Sequence, residues 1–274
     1  MERTFATPQP VELYVELGRG ALSVATGDVT QTTVTVTGKH ADEVLVEQND
    51  TLISVIAPRD RAGFFGTNEA RLDVTVSLPA DSRVITKTGS ADQVLEGRYE
   101  LGKLKSGSGD IRIDDVTGAL VVNTGSGDIA IASCAGDLRI KSGSGDVRVA
   151  HTTASAGVST GSGDITFERT DADVVAKSGS GDLGITLAGG DVTAQTASGN
   201  VTVRELRRGS LTSKNASGNI AVGIPAGIPV WTDVNTVTGR IASDLAGAGQ
   251  PEPDQDYIEL RATTVSGDIS LKQL

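Results

Sequence analysis

The tripeptide Ser-Gly-Asp recurs with its acid at Asp110, Asp128, Asp146, Asp164 and Asp182, always 18 residues apart, and Asn200 continues the series at the same interval. Asn219 follows after 19 residues, and looser echoes stand at Gly27-Asp28, Gly239-Arg240 and Gly267-Asp268. A fixed period of this length is the mark of a repeat architecture, in which each unit buries its apolar face only against its neighbours. A longer period is superimposed: KSGSGD begins at Lys105, Lys141 and Lys177, 36 residues apart, with TGSGD at Thr124 and Thr160 and TASGN at Thr196 between and after them. A two-coil unit has been duplicated, which places a Lys on every second coil in one outward column.

Aligned on the Gly before each acid, the repeats show which side chains face inward. Two residues on stand Ile111, Ile129, Val147, Ile165, Leu183, Val201 and Ile220, and four residues on stand Ile113, Ile131, Val149, Phe167, Ile185, Val203 and Val222. Between them lie Arg112, Ala130, Arg148, Thr166, Gly184, Thr202 and Ala221, so the pattern is the period-two alternation of a half-buried strand. A second strand follows, with inward columns Leu120, Leu138, Ala156, Val174, Val192 and Val122, Ile140, Val158, Ala176, Ala194, preceded by small residues at Gly118, Gly136, Ala154, Ala172 and Gly190. Eighteen residues give a perimeter of at most about 60 Å, which two strands of roughly 17 Å in layers about 10 Å apart can close. The predicted fold is all-β: a single-stranded parallel β-helix, or β-solenoid, of about 18 residues per coil with irregular terminal coils. Strands paired as meanders within a repeat are the rival. Identical residues in every column favour parallel coils in register, and no Pro occurs between Pro79 and Pro225, where ladder strands need every N–H.

One solenoid domain is expected over 1–274. Residues 1–79 form less regular coils or a cap, with strands at Val11–Leu17, Thr32–Thr37 and Ala70–Leu78 and a loop at Gly63–Asn68 carrying Phe64 and Phe65. Regular coils occupy 80–224. Irregular coils follow over 225–274, with the only Trp (Trp231), a Pro/acidic loop at Pro251–Asp256 and a closing strand through Val265–Leu271. Aromatics make up only 3% of the chain, so the core is thin. The formal net charge of −11, without any cluster of five or more Lys/Arg, argues against nucleic acid as a partner. No apolar run is long enough to span a bilayer as a helix. The opening MERTFATPQP has no export-signal core, so a cytoplasmic location is expected.

The repeated turns, Gly109-Asp110, Gly127-Asp128, Gly145-Asp146, Gly163-Asp164, Gly181-Asp182, Gly199-Asn200 and Gly218-Asn219, carry the most pointed chemistry. Carboxylates about 4.8 Å apart repel by roughly 0.9 kcal/mol per pair in bulk water. The expected remedy is that each Asp accepts hydrogen bonds from N–H groups of its own turn. A row of calcium ions on Asp110, Asp128, Asp146, Asp164 and Asp182 is the alternative. Calcium takes six to eight oxygens, the turns offer one carboxylate each, and Asn at 200 and 219 keeps the acceptor without the charge. Hydroxyl pairs at Thr124/Ser126, Ser142/Ser144, Thr160/Ser162, Ser178/Ser180 and Thr196/Ser198 form either a flat outward array or an inward corner bonded along the stack; the intervening residue, Gly in four of the five, favours the corner. His40 and His151 are the only histidines; His151, Asp114, Asp115, Asp171 and Asp173 read as solvated, and Cys134 shares an inward column with Val116, Ala188 and Leu206. No catalytic residue, cofactor site or nucleophile motif emerges.

The Ser-Gly-Asp-[Ile/Val]-x-[Val/Ile] strands, the opening FATPQPVELYVELGRGALSV, the segment LDVTVSLPADSRV and the ending TTVSGDISL resemble the bacterial "putative adhesin" family of β-strand-repeat proteins of unknown function, its actinobacterial members in particular. The resemblance spans essentially the whole chain. It implies a parallel β-helix without known catalytic residues or cofactor. The expected function is a structural or adhesin-like scaffold binding a protein or glycan partner through a solenoid face, with self-association through coil ends as a further mode. The alternatives are a carbohydrate-active enzyme on a β-helix and a calcium-binding repeat protein.

Overall fold

A computed structural model describes residues 1–58, 71–246 and 257–274. The loops expected at Gly63–Asn68 and Pro251–Asp256, and Ala70, lie outside the described residues. The chain divides into two compact units, Met1–Gly136 and Asp137–Leu274. Both are built of β-strands, with one 3-10 turn at Ala41–Glu43, and no helix among the described residues is long and apolar enough to cross a membrane.

In the second unit each coil contributes one strand to each of two layers. The layer that follows the Ser-Gly-Asp turn contains Val147–Thr152, Ile165–Thr170, Leu183–Ala188, Val201–Leu206 and Ile220–Ile224. Neighbours pair in parallel with equivalent residues opposed, as in Val147↔Ile165, Ile165↔Leu183 and Leu183↔Val201. The other layer contains Leu138–Ser144, Ala156–Ser162, Val174–Ser178, Val192–Ser198 and Gly209–Ser217, again parallel and in register. Pairing runs between coils rather than within them, which makes the architecture a parallel β-solenoid. The predicted inward columns form the core: Ile165, Phe167, Val147 and Leu138 are fully buried, and their period-two alternation puts the intervening residues outside.

Coil order departs from chain order at one end of each unit. In the second unit the segment past Pro225 makes a coil from Val230–Thr236 and Ile241–Ser243, and the residues after it make two strands, Ile258–Ser266 and Ile269–Gln273. A single closing strand through Val265–Leu271 is therefore incorrect, because the Ser266-Gly267-Asp268 turn divides it. The later pair lies inside: Ile258–Ser266 is flanked by Gly209–Ser217 and Val230–Thr236, and Ile269–Gln273 by Ile220–Ile224 and Ile241–Ser243.

The first unit mirrors this arrangement. Glu12–Leu17 lies between Leu52–Ile56 and Ser82–Thr88, and Arg19–Gly27 between Arg71–Pro79 and the long strand Asp92–Ser106. Antiparallel strands complete the unit: Gln31–Gly38 pairs with Arg71–Pro79 and with Glu2–Ala6, and Leu45–Asn49 pairs with Leu52–Ile56. These outer strands carry Glu2, Arg3, Glu47 and Gln48, polar residues of the kind that blunt a sheet edge.

Candidate functional site

The Ser-Gly-Asp turns stack closely enough that their glycines are obligatory. A Cβ at Gly181 would lie 2.0 Å from the carbonyl oxygen of Gly163, and Gly145 adopts φ 118°, in the region that favours glycine. The acids that follow form a ladder, but its bonds run between coils rather than within each turn. In the first unit the N–H of Asp110 donates to Asp92 Oδ1 (3.0 Å) and that of Asp128 to Asp110 Oδ1 (2.8 Å). In the second, Asp164 N–H donates to Asp146 Oδ1 (3.0 Å), Asp182 to Asp164 (2.8 Å) and Asn200 to Asp182 (2.7 Å). The series passes without a break through the amide positions, Asn219 to Asn200 Oδ1 (2.9 Å) and Asp268 to Asn219 Oδ1 (2.8 Å), and ends with Arg240 on Asp268 (2.8 Å). The physical reason is register: equivalent turns stand one strand spacing apart, so a short side-chain acceptor reaches the next turn's amide.

Asp92 belongs to this ladder although Ala91 replaces the repeat's Gly; Ser90-Ala91-Asp92, 18 residues before Asp110, is the signal that was available. A second ladder occupies the opposite turn of the second unit. Asp191 N–H donates to Asp173 Oδ1 (3.0 Å), and Ser210 donates to Asp191 Oδ1 from its N–H (2.7 Å) and from its hydroxyl (3.0 Å). Asp173 is thus a turn acceptor, not merely solvated, and Asp114 likewise accepts the N–H of Gly97 (3.0 Å).

His151 is engaged as well. It lies within Val147–Thr152, and its Nε2 is 2.9 Å from Asp171 Oδ2, while Arg169 Nε donates to Asp171 Oδ1 at 2.8 Å. The hydrogen bond from His151, then that from Arg169, holds the Asp171 carboxyl below the usual carboxylate range. This arrangement can position a carboxylate, but it has no nucleophile in its hydrogen bonds. In the first unit Arg83 Nε–Glu100 Oε2 (2.7 Å) links two strands on the surface, and Arg98 Nε–Asp81 Oδ1 (2.6 Å) ties a strand to the turn before Ser82. Among the described residues, no three His, Cys, Asp or Glu side chains converge as a metal site would require.

The hydroxyl columns divide by position. Thr124, Thr160, Ser178 and Thr196 are buried and Ser142 is half-buried, whereas Ser126, Ser144, Ser162, Ser180 and Ser198 are exposed. The inner members fill the corner under the turns. Ser178 Oγ donates to Gly163 O and Thr196 Oγ1 to Gly181 O, each at 3.1 Å, and Asn215 Nδ2 donates to Gly199 O at 3.1 Å in the same column. Cys134 is buried, as are Val116, Ala188 and Leu206 in the column predicted for it.

The profile of the family described as Toastrack DUF4097 matches residues 12–222. The chain belongs to that family. Its matched region runs from Glu12, in the inner coil of the first unit, to Val222, in the last coil before the reversed order of the second. None of the curated proteins matches the chain. Similar solved structures include a "putative adhesin" from Bacteroides fragilis, 14% identical, with 99% of this chain and 96% of that one covered and a TM-score of 0.40. A "putative adhesin" from Parabacteroides distasonis is 13% identical, with 98% and 96% covered and a TM-score of 0.48. A "putative lipid binding protein" from the same species is 12% identical, with 99% and 96% covered and a TM-score of 0.43. The Toastrack DUF4097 chain thus carries its most regular polar groups in its turns, and uses them to join one coil to the next.

Proposed function

We propose that this Toastrack DUF4097 chain is a non-catalytic, adhesin-like scaffold that holds a protein or glycan partner on an outward face of the solenoid. The observation that carries the reading is the fate of the regular acids: the ladder carboxylates from Asp146 to Asp182 accept backbone N–H groups of the next coil, so the repeated chemistry maintains the stack. What the stack offers a partner is then flat rows of side chains at the strand spacing of about 4.8 Å. A polysaccharide panel scored for both retention and release of new reducing ends tests this. Retention without cleavage supports the scaffold, and cleavage refutes it. Calcium titration by calorimetry tests the repeat-ion alternative directly.

A second reading is self-association through a coil end. In the outermost coil of the second unit Trp231, Val237 and Ile241 are exposed on or beside edge strands, and an uncovered edge can pair with another chain. Sedimentation over a hundredfold concentration range decides it: a constant monomer removes this mode.

A further inference from the structure

Over its regular coils the second unit presents two outward faces that differ in charge; acids enter the more basic layer only beyond Gly209–Ser217, as Glu259, paired with Arg261, and Asp233. The strands Leu138–Ser144, Ala156–Ser162, Val174–Ser178, Val192–Ser198 and Gly209–Ser217 contain no Asp or Glu, in a chain of net charge −11. They carry Arg139, Lys141, Lys177 and Lys214, all exposed and none in an ion pair among the described residues. On the opposite layer, Arg148 and Arg169 pair with Asp146 and Asp171.

The register places the lysines in one column, Lys141↔Ser159↔Lys177↔Gln195↔Lys214, which continues through Thr263 to Asn235. Cations therefore recur every second coil, roughly 10 Å apart, with a hydroxyl or carboxamide between them. We propose that this column binds a linear acidic polysaccharide laid along the stacking direction, its carboxylates on the lysines and its ring hydroxyls on Ser159 and Gln195. Two sugar rings of an extended chain cover about the same span, so a polymer with one acid per one or two sugars meets every lysine without strain. An anionic membrane would instead gain from a broad cationic surface, whereas here the exposed acids of the Ser-Gly-Asp turns run beside the column. The inference rests on the scaffold reading and names its partner class.

The test uses the full chain, fluorescent oligogalacturonate, its methyl ester, phosphatidylserine vesicles and single-stranded DNA. Oligogalacturonate should bind with an affinity that falls as salt rises, and the ester should not. At about threefold per exposed charge, K141Q/K177Q/K214Q should weaken binding roughly thirtyfold, with an unchanged circular dichroism spectrum; R148Q/R204Q on the other layer should have little effect. Unchanged binding by the triple variant, equal binding of the ester, or lysine-dependent binding of vesicles or DNA without oligogalacturonate overturns the proposal. Cleavage of bound oligogalacturonate would support the surface yet refute the non-catalytic reading. Retention of neutral glycans alone would do the reverse.

Discussion

Replacing Asp146, Asp164 and Asp182 together, once by Ala and once by Asn, separates the two properties of the ladder, acceptor and charge. The three Oδ1 atoms accept N–H groups at 3.0, 2.8 and 2.7 Å. A typical net hydrogen bond contributes about 0.5–1.5 kcal/mol, and water can reach this edge, so the lower half of that range applies and the Ala variant should lose roughly 2 kcal/mol. Asn keeps the acceptor and removes like charges whose mutual repulsion, at about 4.8 Å, is roughly 0.9 kcal/mol per pair before salt screening. The Asn variant should therefore match or exceed the parent, as Asn200 and Asn219 foreshadow by accepting at 2.9 and 2.8 Å. Stacked repeats need not unfold as one unit, so hydrogen exchange across 160–200 is the decisive assay, beside urea midpoints. Loss of about 2 kcal/mol raises exchange roughly thirtyfold if those coils open together. Asn as damaging as Ala would refute the argument, since the charge itself would then be required. Harmless Ala would show that the ladder contributes nothing.

Phe167 is fully buried among aliphatic columns, and Phe167→Ala should cost about 3–5 kcal/mol in urea unfolding. Because the Asp171 carboxyl is held below its ordinary range, its stabilising effect is present above the unfolded value near 3.8 and lost as pH falls through the lower folded value; an acid titration of Asp171→Asn against the parent should converge below about pH 4. Tyr99 is raised well past the ordinary tyrosine range, first by burial, so the unfolded chain ionises it sooner. Stability should fall above about pH 10, less steeply in Tyr99→Phe, as followed by near-ultraviolet absorbance. Deleting 257–274 removes the inner coil of the second unit, and exchange over Val230–Ser243 should rise to that of unfolded chain.

The solenoid was legible because an 18-residue period with apolar columns specifies which residues are equivalent, and parallel register follows from equivalence. Ile165, Phe167 and Cys134 could be assigned to the interior on that ground alone. The partner of each ladder acid was not legible. Residue type marks Asp164 as a turn acceptor, while only the stacking distance tells whether its donor lies in its own turn or in the next one. Asp92 was hidden by Ala91, and the second ladder by Ser155 and Ser210, which break the acidic column at Asp173 and Asp191. His151 meets Asp171 because Asp171 lies two residues beyond Arg169, the residue opposite His151. Such an offset leaves no trace in a column alignment.

Coil order is the deeper limit, because a period orders equivalences and not neighbours. In the first unit 12–27 is enclosed by 52–56 and 71–79 on one side and 82–96 on the other, and in the second 258–273 is enclosed by 209–224 and 230–243. The enclosed strands gain two ladder partners and a complete core: Leu13, Val15, Ile258 and Leu260 are fully buried, while Trp231 and Ile241 on the outer coil stay exposed. In the second unit the cost is kinetic, since 230–243 pairs with 258–273 and can dock only once that later segment is in place, and such non-local pairing slows folding. Within the second unit, rapid stacking of the regular coils and slow closure of the reversed end is the folding order that this topology dictates.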